Sequence, residues 1–376
     1  MTKNEKNTVS SAKSGSANSG LEGVVAADTA LSLVDGNAGR LVIAGFDLPD
    51  LVATTDFEGA VAMLWSAAGR DTSPSAAKAD IANARVLAFK QVPVLLGAAA
   101  GLTITEALRV GLSLLPDEHE LDDGTRLIGA MPVFVAALAR YAAGKPAVEP
   151  DAKRGHAEDY LTMLTDKTPS KKAVRAMDTY LTTVSDHGMN ASTFTGRVVA
   201  STAAGQVSSI LAALCALKGP LHGGAPGPVL DMLDDIGNDA RIEPWLREAV
   251  MAGDRLMGFG HRIYRVRDPR ADVLGVEVNN LAGGEGRIAF ALKVEETAKA
   301  VLKELKPHRP LDTNVEFYTA LLLEALGIPR AAFTPTFAVG RVAGWTAHVM
   351  EQENVGRLIR PASNYVGVMP KGLEVA

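Results

Sequence analysis

Apolar positions recur at helical spacing along most of the chain. Val174, Met177, Leu181 and Val184 lie three and four residues apart, on one face of a helix that Thr168 opens with Pro169 at its first position. Thr103 and Glu106 form a T-x-x-E capping box ahead of a run that reaches Leu115. The same reading predicts helices over about 56–67, 76–91, 124–143, 193–217, 287–306, 313–326 and 336–352, with Gly327 and Pro329 ending the last but one. Strand signals are few. Leu21–Val25 and Leu41–Phe46 flank Asp35-Gly36-Asn37 and read as a short N-terminal β-hairpin. There is no βαβ alternation and no internal repeat, so the expected fold class is all-α. Gly/Pro-rich breaks at 218–228 and 253–260 mark domain boundaries or mobile loops.

A chain of 376 residues has room for two or three domains, or for one large fold with an inserted lobe. At that size it buries about 75% of its unfolded surface and needs neither disulfides nor metal to hold a core. A net charge of −5 argues against a nucleic-acid partner. The single cysteine, Cys215, excludes a disulfide framework and Cys-rich zinc modules, and fits a reducing, cytoplasmic setting. Residues 1–20 are rich in Ser, Asn and Lys without an apolar core; they read as a disordered tail rather than a leader. The 20 uncharged residues between Arg197 and Lys218 are long enough to span a bilayer. Ser201, Thr202, Gln206, Ser208 and Ser209 would be costly in lipid, so a fully buried central helix is expected and no membrane partner.

Phosphate-loop, serine-hydrolase and zincin motifs are missing. His187, His222 and His261 are 35 and 39 residues apart with no helical pairing, so no metal site is expected. Four segments carry chemistry-bearing side chains. His187-Gly188-Met189-Asn190 breaks one helix and caps the next. Lys218–Gly224 is a glycine-rich turn carrying His222. Met257–Arg270 is a loop with His261 and four arginines after it. Thr313-Asn314-Val315-Glu316 is itself a T-x-x-E box, in which Glu316 would serve as a cap. Each alone reads as structure. Together they offer three histidines, one carboxylate at a helix start and several arginines. Arginine's planar fork suits small di- and tricarboxylates. A carboxylate at a helix start is kept ionised by the dipole. Such a carboxylate is a base, and neutral histidines donate hydrogen bonds to a carbonyl oxygen.

The same segments identify a resemblance. HGMNASTFTGRVVAST (187–202), KGPLHGGA (218–225), MGFGHRIY with DPRA (257–271), NVEFY (314–318), RVAGWTAHVMEQ (341–352) and RLIRPASNYVG (357–367) resemble the citrate synthase family, in order, from Gly20 to about Gly367. The resemblance implies a large helical domain, 21–217 with 327–376, and a smaller mobile helical domain, 218–326. It implies a homodimer with shared sites, acetyl-CoA and oxaloacetate as substrates, citrate and CoA as products, and no cofactor or metal. By motif, His222 holds the thioester carbonyl, Glu316 abstracts the methyl proton and His261 polarises the ketone. His187, Asn190, Arg270 and Arg341 bind oxaloacetate, with Arg360 reaching in from the other subunit. Arg265 and the loop Leu256, Met257, Gly258, Phe259 and Gly260 contact CoA.

The chain departs from the family pattern in places. Glu316 replaces the usual Asp, Pro226 replaces Asn, Leu102-Thr103-Ile104 replaces a His-Pro-Met triplet, and Ala362 replaces a basic residue. The length is that of a dimeric type without an NADH site. Two other readings stay open: a 2-methylcitrate synthase using propionyl-CoA, and an inactive paralogue that binds a dicarboxylate or CoA as a sensor.

Overall fold

The computed structural model describes residues 20–370 apart from 22, 118, 220, 224, 225, 262, 282–285, 309, 310 and 369. The tail predicted over 1–20 thus lies, but for Gly20, outside the described residues. The chain divides into two compact units. One runs Ala30–Leu358; the other joins the residues up to Thr29 with those from Ile359. Within the second, Tyr365 Oη donates to the Val368 carbonyl at 3.0 Å.

The first unit opens with a three-stranded antiparallel meander, β1 (Ser32–Asp35), β2 (Arg40–Ile43) and β3 (Phe46–Asp47), with Ser32 opposite Ile43. No strand forms among the described residues of the segment expected at Leu21–Val25. Asp35 Oδ1 accepts from the Asn37 and Ala38 N–H groups, so the turn pairs the residues directly flanking it.

Sixteen helices follow among the described residues: α1 (Leu48–Thr54), α2 (Phe57–Ala67), α3 (Pro74–Phe89), α4 (Val92–Ala98), α5 (Ile104–Ser113), α6 (Asp123–Ala142), α7 (His156–Thr165), α8 (Lys171–Val184), α9 (Ala191–Ala200), α10 (Gln206–Leu217), α11 (Pro226–Ile236), α12 (Ile242–Ala252), α13 (Pro269–Leu281), α14 (Arg287–Leu305), α15 (Val315–Ala325) and α16 (Phe333–Val355). The all-α expectation holds. The Thr103–Glu106 capping box opens α5. Ser170, not Thr168, caps α8: its hydroxyl accepts from the Ala173 N–H, leaving Pro169 outside the helix.

The uncharged run 198–217 does not form one buried central helix. It breaks between α9 and α10, where Ala203 takes a left-handed conformation, and α10 exposes Cys215. The helices buried almost all round are α6 and α16. Phe134 of α6 and Trp345 of α16 anchor a core that runs from α2 to α15. One buried ion pair ties α3 to α7. Arg85 Nε donates to Asp159 Oδ2 at 2.8 Å with both side chains sealed. No described helix is long and apolar enough to cross a membrane.

Candidate active site

The C-terminal end of α8 delivers His187, and three elements fix the delivery. Ser32 of β1 donates to Asp186 Oδ2 at 2.5 Å and accepts from the Gly188 N–H at 3.0 Å. His348 of α16 lies 3.2 Å from Asp186 Oδ1. Burial works to raise the Asp186 carboxyl, but His348, Arg341 and Ser32 outweigh it and hold it at about 2. Gly344 of α16 donates its N–H to the Ser185 carbonyl at 3.0 Å; a Cβ there would stand 2.3 Å from that oxygen. Only glycine admits this approach.

His187 meets a second segment, the loop before α13. His187 Nε2 is 3.1 Å from Tyr264 Oη, and its ring is edge-on to His261 at 5.9 Å. His261 Nδ1 accepts from the Ile263 and Tyr264 N–H groups, both at 3.0 Å. A backbone N–H can only donate, so the neutral ring carries its proton on Nε2. Arg270 Nη2 lies 3.2 Å from that Nε2. Two donors this close converge on an acceptor that neither supplies. Burial, then Arg270, pushes His261 down to about 4. Burial, then Arg270, Arg341 and His261, pushes His187 well below the usual imidazole range. Both rings are neutral at pH 7 despite the acceptor-hungry setting. Arg270 is itself anchored by Asp268, whose Oδ2 also accepts from the Val315 N–H at 3.2 Å.

His222 follows the same logic with the other nitrogen. The Ser192 N–H donates to His222 Nε2 at 3.3 Å, and Ser192 Oγ lies 2.8 Å away. Nε2 is therefore the acceptor and the proton sits on Nδ1, which has no partner among the described residues. Trp345 Nε1 donates to Ser192 Oγ at 3.1 Å and braces this arrangement. Burial, then Arg341, pushes His222 down to about 4. Asn190 behaves as a cap. Its Oδ1 accepts from Ser192 and Thr193 N–H, and its Nδ2 donates to the Gly188 carbonyl.

Glu316 does not act as the cap that its T-x-x-E context suggests. Asn314 caps α15 by accepting from the Glu316 N–H at 2.9 Å. Thr313 Oγ1 instead donates to the buried Glu295 at 2.6 Å. The Glu316 carboxylate is thereby released. Its Oε2 is sealed and has no partner among the described residues, although the residue keeps partial exposure. Burial raises it to about 7, against the pull of Arg270 and Arg341 and with Asp268 adding to the rise. Arg341 thus acts on His187, His222 and Glu316 alike. Arg341 lies beneath the surface, its Nε donating to the Val184 carbonyl at 2.6 Å, and burial lowers it only to about 10, so it stays charged.

Gly258 takes a left-handed conformation, and a Cβ there would press on Phe317 at 2.9 Å, so the 256–260 loop rests on the helix that carries Glu316. Two adjoining cavities of about 510 and 500 Å³ open from this loop. Leu256, Phe259, Gly260, His261 and Arg265 line them; Met257 and Gly258 do not. Sequence reasoning missed other lining residues: Arg255, Arg267, and Lys299, Lys303 and Lys306. The three lysines recur at helical spacing, a basic stripe that was available to find. Ser192, Tyr264 and Trp345 left no such signal. Arg360 belongs to the second compact unit. No group of three or more His, Cys, Asp or Glu suited to a metal occurs among the described residues.

Comparison with known proteins sharpens this. The family described as citrate synthase, C-terminal domain, matches residues 20–362. A citrate synthase of Haloferax volcanii is 36% identical, covering 94% of this chain and 97% of its own. A 2-methylcitrate synthase of Mycobacterium tuberculosis is 32% identical, covering 93% and 90%. The Thermoplasma acidophilum citrate synthase, solved as a ternary complex with carboxymethyl coenzyme A and oxaloacetate, superposes with a TM-score of 0.84 at 27% identity, covering 94% and 97%.

Proposed function

The chain belongs to the citrate synthase family, and from that premise we propose how its buried cluster works. The protein is an acyltransferase of the citrate synthase type: acetyl-CoA, oxaloacetate and water give citrate and CoA. One observation carries the assignment of roles. A carboxylate oxygen, Glu316 Oε2, is sealed without a partner among the described residues, within reach of the charges of Arg270 and Arg341, which also act on the neutral histidines.

A thioester methyl is a very weak acid. Its proton can be removed only where the developing oxyanion meets preorganised donors in a dry site. Glu316 takes the methyl proton. His222, with its proton on Nδ1, donates to the thioester oxygen as charge gathers there. The carbon then bonds to the oxaloacetate ketone carbon, whose oxygen receives the His261 Nε2 hydrogen bond and its proton. Water finally cleaves the thioester and releases CoA. Arg270, Arg341 and His187 hold the oxaloacetate carboxylates. Asn190 joins them only by loosening its cap. Arg265 and the loop 256–260 hold CoA, and Arg255, Lys299, Lys303 and Lys306 supply charge for its phosphates.

The protein works in the cytoplasm as a homodimer without a cofactor. Its 218–326 lobe closes on the substrates, and Arg360 is contributed by the partner. Mixed dimers of Arg360→Ala with Glu316→Gln recover activity if the site is shared; no recovery rules the sharing out. The test of the reaction is release of free CoA thiol with oxaloacetate present. A protein that binds oxaloacetate without turnover is the sensor instead. The kinship with a 2-methylcitrate synthase supports propionyl-CoA as the alternative acyl substrate to test. A pocket separates one methylene by only about 1–3 kcal/mol, or roughly 10–200-fold. The proposal expects kcat/KM to favour acetyl-CoA, and a clear preference for propionyl-CoA overturns that choice.

A further inference from the structure

We infer that Tyr264 is a positioning residue for oxaloacetate: its hydroxyl fixes the orientation of His187, while its ring and backbone hold His261 and Arg270, so that the three groups address one dicarboxylate. This rests on the proposed reading of the site.

Tyr264 touches every one of those groups, each by a different part of itself. Its Oη is 3.1 Å from His187 Nε2. Its ring lies 4.8 Å from the His261 ring and 5.7 Å from the His187 ring, centroid to centroid. The Arg270 guanidinium carbon stands 5.8 Å from the same ring, within reach of its π face. Its N–H is one of the two that fix the His261 tautomer. At 3% exposure it is wedged in place.

Its mount is rigid as well. The Arg265 N–H donates to the Gly36 carbonyl at 2.8 Å, so the loop is pinned to the turn between β1 and β2. The same hairpin clamps Asp186 and Gly188 through Ser32. One hairpin thereby sets both sides of the His187–Tyr264 contact. Burial raises the phenol above its ordinary range, so Tyr264 stays protonated and takes no part as a base. The site needs two neutral imidazoles and a guanidinium held within a few ångströms without mutual pairing. A lone aliphatic side chain would fill the space but orient none of them.

The test compares Tyr264→Phe and Tyr264→Leu with the parent. Oxaloacetate affinity is read by titration calorimetry without acyl-CoA, and kcat and both KM values by thiol release. The Phe variant keeps the ring and loses one hydrogen bond. Its Kd and KM for oxaloacetate rise about 2–10-fold while KM for acetyl-CoA stays within about 2-fold. The Leu variant loses ring and hydroxyl, and its kcat falls about 10²-fold through misplacement of His261 and Arg270. A Phe variant with the parent's oxaloacetate affinity overturns the proposal, as does an equal rise in both KM values. If the Leu variant does not fold, the Phe variant decides alone. A parent without turnover refutes the reaction and leaves the calorimetric comparison standing. A parent with turnover and an unaffected Phe variant refutes the Tyr264 role alone.

Discussion

Glu316→Gln should make the protein both inactive and more stable, and the second effect should depend on pH in a set direction. The ionised carboxylate is held where burial disfavours it, so its folded-state pKa stands near 7 against an ordinary 4.5. Between these values the folded protein keeps a proton that the unfolded chain has released. Its contribution to stability is therefore full below about pH 4.5, declines as pH rises, and is gone above about pH 7. Each pH unit of that window is worth about 1.4 kcal/mol. The residue keeps partial exposure, which softens the loss, so the ionised form costs roughly 1–3 kcal/mol. Glutamine matches the shape and is neutral throughout.

Urea unfolding of parent and variant at pH 8 and pH 5 reads this directly. At pH 8 the Gln variant gains roughly 1–3 kcal/mol; near pH 5 the gain shrinks toward zero. Turnover meanwhile drops about 10²–10⁴-fold, the usual contribution of a positioned base. A variant no more stable than the parent at pH 8 would falsify the claim of a destabilised carboxylate. A gain identical at both pH values would place its origin in packing. Residual full activity would remove Glu316 from the chemistry altogether.

Other outcomes follow from the same geometry. In the parent, kcat/KM should fall about tenfold per pH unit below about pH 7 as Glu316 takes up its proton, with no second step before pH 5 because His222 and His261 titrate near 4; a limb near 4.5 contradicts this. Replacing Lys299, Lys303 and Lys306 together by Ala should raise KM for acetyl-CoA and flatten its salt dependence while sparing oxaloacetate; steady-state kinetics at two ionic strengths decides. Gly344→Ala should push the Ser185–Asp186 backbone away from α16, because the new methyl meets the Ser185 carbonyl at 2.3 Å. Oxaloacetate binding should weaken along with a lowered melting temperature, and a variant with both intact would show that α16 does not set His187.

The helices legible in the sequence are those whose determinants lie within a turn or two. The box at Thr103–Glu106 closes on itself and opens α5 as read. The runs behind α2, α6, α14 and α16 carry enough apolar residues to show through. The helices passed over, α1, α4, α7, α11, α12 and α13, are short or begin at Pro–Gly-rich segments, where local chemistry reads as loop. The hairpin forms at the expected turn but with another first strand: Asp35 closes its own turn and recruits the adjacent residues 32–35, so distant Leu21–Val25 cannot compete. At 313–316 a correct local rule gave the wrong outcome. Glu295, 18 residues upstream, takes the Thr313 hydroxyl, and Asn314 takes over the cap.

That competition is what frees the carboxylate proposed as the base. A glutamate locked in a capping box has its oxygens engaged with backbone N–H groups, which stabilise its charge and lower its basicity. Without the box, burial tips the carboxylate toward keeping its proton, against the pull of Arg270 and Arg341. The contrast with Asn190 follows the same rule from the other side. Both residues stand at helix starts, and the motif names both as site residues. Asn190 keeps its cap, with Oδ1 and Nδ2 engaged, whereas Glu316 has been freed of one. Hydrogen-bonding capacity left unused among the described residues, as at Glu316 Oε2 and His222 Nδ1, therefore separates groups ready to meet a substrate from groups that must first give up structure to do so.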